Sequence, residues 1–137
     1  MNHWLVKSEP FVYSYDDLIR DGVTEWSGVR NYGARNNLRA MKNGDWVLFY
    51  HSREGLEVVG LAKVVREHYP DATAEKGDWS AVDIAPHLKF ERPVPLKAIK
   101  EEPLLQNIGL VRIGRLSVMP LEEREFNKIL EMAGAKV

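Results

Sequence analysis

Two extended runs joined by a short turn constrain this chain more than any other feature: Asp45–His51, the turn Ser52–Gly55, and the β-branched run Leu56–Glu67. Apolar runs bounded by a polar turn containing glycine predict a β-hairpin, and its strands need further elements to cover their apolar sides. Gly60, inside the second run, predicts a bulge. His3–Lys7 alternates tightly enough for another strand, central in the sheet and closed by Ser8–Pro10, because Pro10 biases Glu9 away from helix.

Helical signals interrupt the strands. Ser14, with Asp17 three residues on, predicts a helix start that carries Leu18 and Ile19 inward and stops at Gly22. Ala34–Met41 predicts a short helix ended by Asn43–Gly44, and Leu96–Lys100 a single turn. Leu121–Ala133 is the clearest helix. Phe126, Ile129, Leu130 and Ala133 share one face, Glu122 and Glu123 occupy the electropositive first turn, and Gly134 lies past the end. Trp26–Tyr32 reads as a loop, Tyr69–Asp78 as a mobile loop, Ser80–Glu91 as an extended stretch broken at Pro86, and Gly109–Ser117 as a strand. Pro93 and Pro95 limit continuation of the stretch before them. The pattern is α+β: a small twisted sheet or partial barrel flanked by short helices.

At 137 residues, with 45% hydrophobic and 28% charged residues, the chain has the size and balance of one globular domain. No apolar run is long enough to span a bilayer, so no membrane partner is expected. The amino terminus MNHWLVKSEP has neither a basic region nor a long apolar core, so secretion is not indicated. The absence of cysteine excludes disulfides, thiolate zinc sites and cysteine nucleophiles.

The segment WSGVRNYGARNN at 26–37 crowds aromatic, amide and guanidinium groups into a stretch where a solvated loop would carry small residues. Trp26 and Tyr32 offer flat apolar faces, Asn31 and Asn36 offer paired donors and acceptors, and Arg30, Arg35 and Arg39 offer planar forks. A nucleobase on a sugar-phosphate backbone satisfies all three by stacking, edge recognition and charge pairing. The competing reading makes the two aromatics core and the arginines a solvated face.

Net charge is −1, which argues against indiscriminate coating of nucleic acid. Two stretches nevertheless lack acids: Trp26–Gly44, with Arg30, Arg35, Arg39 and Lys42, and Gln106–Leu121, with Arg112 and Arg115. If they meet in space they form one positive cleft.

Four histidines, His3, His51, His68 and His87, show no metal-ligand spacing and no accompanying carboxylate cluster. No metal or other cofactor is therefore expected. His51 and Ser52 are neighbours at a strand end and point to opposite faces, so they form no ready base and nucleophile pair. A small hydrolase or nucleotide-processing enzyme using His51 is the alternative function, and it requires a partner residue from elsewhere in the chain. Lys7–Pro10 reads by default as a capped turn and Ser117–Pro120 as a linker, although backbone amides at strand exits can grip a base edge or a phosphate.

Together, HWLVKSEP at 3–10, WSGVRNYGARNNLRAMKNGDWVLFYHS at 26–52, HYPDATA at 68–74 and RLSVMPL at 115–121 closely resemble the EVE domain family of the PUA-like group. The resemblance runs through the whole chain in order. It implies a single domain over residues 1–137 with a mixed β-barrel or twisted-sheet core and peripheral helices. It also implies no catalytic apparatus, and a pocket for a modified nucleobase in DNA or RNA, such as a methylated or hydroxymethylated cytosine. Carried over residue by residue, it places Trp26, Val29, Asn31 and Tyr32 on one wall, Lys7 and Ser8 on a second, and Tyr50, His51 and Ser52 on a third. Ser117, Val118 and Met119 close the pocket, with Arg30, Arg35 and Asn36 near its rim. Gly33 stands where relatives commonly carry a larger residue, and the turn after His51 is short. A non-catalytic reader of this kind implies a nuclease or modification enzyme as partner. The lack of a basic amino-terminal extension favours a bacterial or archaeal cytoplasmic setting.

Overall fold

A computed structural model describes all residues from Met1 to Val137. Its strands are β1 (His3–Ser8), β2 (Thr24–Trp26), β3 (Trp46–His51), β4 (Glu57–Pro70), β5 (Ser80–Pro95) and β6 (Val118–Leu121). They form one mixed sheet in the order β2-β5-β4-β3-β1-β6. The hairpin is β3 and β4, antiparallel, and β1 lies parallel to β3 as an interior strand. Around the sheet lie α1 (Tyr15–Asp21), α2 (Tyr32–Ala40), α3 (Leu96–Glu101), α4 (Gly109–Arg112) and α5 (Glu123–Ala133). No helix is long and apolar enough to cross a membrane.

Alternation along the central strands produces two cores, one on each face of the sheet. Trp4, Val6, Val47 and Phe49 point to one face, where they meet Leu18 of α1 and Leu38 of α2. Leu5, Leu48 and Tyr50 point to the other, where they meet Phe126, Ile129 and Leu130 of α5. Asp45, just before β3, is buried between elements and accepts from the Trp4 indole at 3.0 Å and from the Asn2 and Lys42 amides. A buried carboxylate stays tolerable only when its lone pairs are occupied in this way.

Local signals fared well where chemistry was explicit. Ser14 and Asp17 form the complete capping box of α1, and Gly22 ends it with φ of 77°. Leu18 is buried, but Ile19 is 47% exposed, because α1 presents only a narrow stripe to the sheet. The irregularity expected at Gly60 exists: the β3–β4 and β4–β5 registers both shift around Val58 and Gly60. Glycine is required there for space. A Cβ on Gly60 would sit 2.5 Å from Cζ of Tyr15, whose ring crosses the strand and whose hydroxyl donates to the Leu61 carbonyl.

Other expectations are corrected. Trp26 ends a strand and α2 begins at Tyr32, so the intervening loop is shorter than expected. The segment read as a mobile loop from Tyr69 begins as strand, since β4 runs to Pro70, and Asp71 ties the residues that follow to Gly28 and Thr73. β5 continues through Pro86, Pro93 and Pro95; register shifts in its pairing with β4 accommodate the missing donor at Pro86. Gly109–Ser117 is the short helix α4 and a turn, and the strand instead comprises Val118–Leu121, where a linker was expected.

Candidate functional site

A cleft of about 550 Å³ opens where β1 and β2 end and β6 begins. β1 and the turn after it supply Lys7, Ser8, Glu9, Val12 and Tyr13; β2 and the following loop supply Thr24–Arg30; Ser117 comes from the residue before β6. The antiparallel pairing of β1 with β6 and the bond from the Lys7 amide to the Ser117 carbonyl, 2.9 Å, hold two of these walls together. Its volume lies within the range of small-molecule sites, about 300–1,000 Å³.

Trp26 is the aromatic wall. It is half-buried, with its ring edge-on to Phe49 at 5.5 Å and 84°, so the indole is fixed by the core while also lining the cleft. Such a held ring is a preorganised stacking surface. Val29 is buried beside it. Ser8 Oγ donates to the Tyr13 carbonyl at 2.5 Å, and Lys7 Nζ donates to the Gly114 carbonyl at 3.1 Å. Burial pushes the Lys7 ammonium below its ordinary value, and no carboxylate pairs with it.

The far side of the cleft is organised by Asp71. Its buried carboxylate accepts from the Gly28 amide at 2.8 Å, from Arg30 Nη1 at 3.0 Å, and from the Thr73 amide and hydroxyl at 2.8 and 2.6 Å. Burial opposes ionisation, but the bonds from Thr73, Gly28 and Arg30 outweigh it and hold the carboxyl down at about 2. Gly28 has φ of 79°, a left-handed conformation that suits glycine, and this turn presents its amide to Asp71.

Beyond the cleft lies an aromatic and guanidinium cluster. Tyr32 stacks on Trp79 with centroids 5.1 Å apart and planes 19° apart. The Arg35 guanidinium lies over both rings, at 5.0 and 5.7 Å, and that of Arg30 lies 5.6 Å from Trp79. The residues expected at the site therefore divide. Lys7, Ser8, Trp26, Val29, Arg30 and Ser117 meet in the cleft, while Tyr32 and Arg35 belong to the neighbouring cluster. Asn31 is the N-cap of α2, its side chain accepting from the Ala34 amide at 2.9 Å, and Asn36 accepts from Arg35. Tyr50 and Met119 are buried in one core and Val118 in the other. His51 accepts the Tyr15 amide proton at Nε2, and the Ser52 amide donates to the Ser8 carbonyl; neither lines the cleft.

The expected positive cleft is also corrected. Asp71 and Asp78 pair with Arg30 and Arg39 at 3.0 and 2.7 Å, and Glu9 and Glu25 line the cleft itself. Acids distant in sequence therefore offset the acid-free stretch. Trp79 was missed as well, although a lone Trp amid Glu75, Lys76, Gly77 and Asp78 is out of place in an ordinary solvated turn. No group of three or more His, Asp or Glu side chains is placed to hold a metal ion.

A mixed sheet with short flanking helices, opening a cleft at strand exits, defines a PUA-like α+β domain. The chain belongs to the EVE domain family, whose profile matches residues 2–132. It is 37% identical over 168 residues to thymocyte nuclear protein 1 of Gallus gallus, covering 98% of this chain and 69% of that protein. A solved structure from Agrobacterium tumefaciens superposes with a TM-score of 0.96 at 46% identity, covering 98% of this chain and 94% of the other. The human THYN1 protein in complex with 5-methylcytosine containing DNA superposes with a TM-score of 0.91 at 34% identity, covering both chains fully at 100%. The YTH domain of Zygosaccharomyces rouxii MRB1, at 16% identity and a TM-score of 0.63, shares the fold.

Proposed function

We propose that this protein reads a modified nucleobase in a nucleic acid and performs no chemistry of its own. The observation that carries this reading is Trp26: an indole fixed edge-on against Phe49 that nevertheless lines an open cleft rich in polar groups. A base stacked there would find hydroxyls at Ser8 and Ser117, backbone groups of the β1 and β2 exits, and an apolar neighbour in Val29. The complex of the human relative with 5-methylcytosine containing DNA supports a methylated or hydroxymethylated cytosine as the base.

In the hydrolase alternative, His51 would act as a general base. Its Nε2 lone pair already accepts the Tyr15 amide, so the ring nitrogen facing that helix is occupied. A reader without chemistry calls for a nuclease or modification enzyme as partner, and we assign the pair to the cytoplasm.

The test is direct titration of DNA and RNA oligonucleotides, single- and double-stranded, with and without one modified cytosine, at fixed salt. Saturable binding that prefers a modified oligonucleotide and returns it unchanged is expected. Turnover of any oligonucleotide, or equal affinity for modified and unmodified forms, overturns the reading.

A further inference from the structure

The turn Glu9–Tyr13 carries an apolar tip that the cleft does not need for its own construction. Phe11 and Val12 are 64% and 70% exposed, side by side after Pro10, and Val12 also lines the cleft. Single exposed apolar residues are commonplace, but a contiguous pair at the mouth of a site is a contact surface.

The turn is braced rather than slack. The Val12 and Tyr13 amides both donate to the Glu9 carbonyl at 2.9 Å, and Ser8 Oγ donates to the Tyr13 carbonyl. The Glu9 carboxylate pairs with Arg53 at 3.3 Å. These bonds keep the tip projecting and prevent it from folding back onto the protein.

We propose that this turn is a wedge: Phe11, backed by Val12, enters the base stack of a duplex beside the cleft and fills the gap left by the base that turns into the cleft. The proposal rests on the reading of the cleft as a site for a modified base. A base within a duplex cannot reach a concave site while stacked, and leaving the stack forfeits contact with both neighbours. An inserted flat apolar side chain restores part of that contact, which is how apolar wedges hold a kinked duplex open. The cleft carries little net positive charge to supply the grip, since Arg30 is paired with Asp71 and Glu9 and Glu25 line the cleft with Lys7. Continuity of the apolar tip with the cleft through Val12 favours a base stack over an unrelated protein partner.

The test compares wild-type protein with the variant Phe11→Ser, which leaves the cleft lining intact, on three oligonucleotides carrying one 5-methylcytosine. One is a fully paired duplex, the second has the modified base opposite an abasic site, and the third is the single strand. The variant is expected to bind the paired duplex about tenfold more weakly or worse, and the other two within about twofold of wild type, because only the paired base must be extruded. A 2-aminopurine beside the modified base should brighten on binding of wild type and not of the variant. The Phe11 side chain is exposed, so the melting temperature should be unchanged. Unaltered binding to the paired duplex, or equal losses on all three oligonucleotides, overturns the wedge. Failure of the wild type to bind any of the three overturns the base-reading itself and the wedge with it.

Discussion

The Nε2 atom of His51 accepts the backbone N–H of Tyr15 at 3.1 Å, tying the end of β3 to the first residue of α1. An amide donor requires a lone pair on that nitrogen, so the imidazole is neutral with its proton on Nδ1. Burial pushes His51 below its ordinary value of 6.5, assisted by Lys89 and opposed by Asp16. A depressed folded value means that the unfolded chain takes up the proton first, so this stability is complete above pH 6.5 and declines as pH falls toward the folded value. Thermal melts of wild type and His51→Gln from about pH 7.5 to about pH 5 should show a shallower acid-side decline in the variant. His3, which burial also depresses, contributes to the part that remains. Parallel curves would dissociate His51 from the acid response.

Trp26 joins the core to the cleft, and its removal should register in both. Trp26→Ala should weaken modified oligonucleotide binding by ~1–3 kcal/mol. Because the ring is only half-buried, the stability lost should be less than the ~3–5 kcal/mol typical of a fully buried aromatic. Calorimetric melting alongside binding titration separates the two. Normal binding by the folded variant would remove Trp26 from the site.

Asp71 predicts an acid response of its own. Its carboxyl lies at about 2 in the fold against an ordinary 3.8, so its contribution is present above pH 3.8 and is lost as pH falls toward 2. The difference corresponds to about 2 kcal/mol. Asp71→Asn should lower stability at neutral pH, leave Arg30 without its partner, and flatten the curve below pH 4, read by circular dichroism as a function of pH. If stability at pH 7 is unchanged, the Gly28–Arg30–Thr73 hub does not hold the loop.

Gly60 should tolerate no side chain. A Cβ there would sit 2.5 Å from the Tyr15 ring, so Gly60→Ala should cost about 1–3 kcal/mol or more through overpacking. Tyr15→Leu, damaging alone, should damage less in combination with Gly60→Ala, because the two residues compete for one space. Urea denaturation of the four forms measures the coupling; strict additivity would refute the shared-space account.

The sheet, the hairpin, the bulge and the clearest caps were legible because each has a local chemical cause. Ser14 with Asp17 and the apolar stripe of α5 need no knowledge of the rest of the chain. β5 was cut short because proline weighs against strand in isolation, whereas here shifted pairing with β4 absorbs the mismatch. The site was legible in part. Trp26 and Arg30 could be selected by type, but Asn31 resembles an edge reader and a helix cap equally well in sequence, and only the position of the Ala34 amide distinguishes them. Charge was least legible: Asp71 and Asp78 lie some forty residues from the arginines they meet, as in the separation of 41 between Arg30 and Asp71.

The pairing of β1 with β6 has a consequence for synthesis. Val6 is synthesised long before Val118, its partner across the sheet. The cleft needs both ends, since Ser8 and Ser117 face it together. A nascent chain therefore has no partial version of this cleft to offer a ligand, and recognition begins only when the last strand closes against the first.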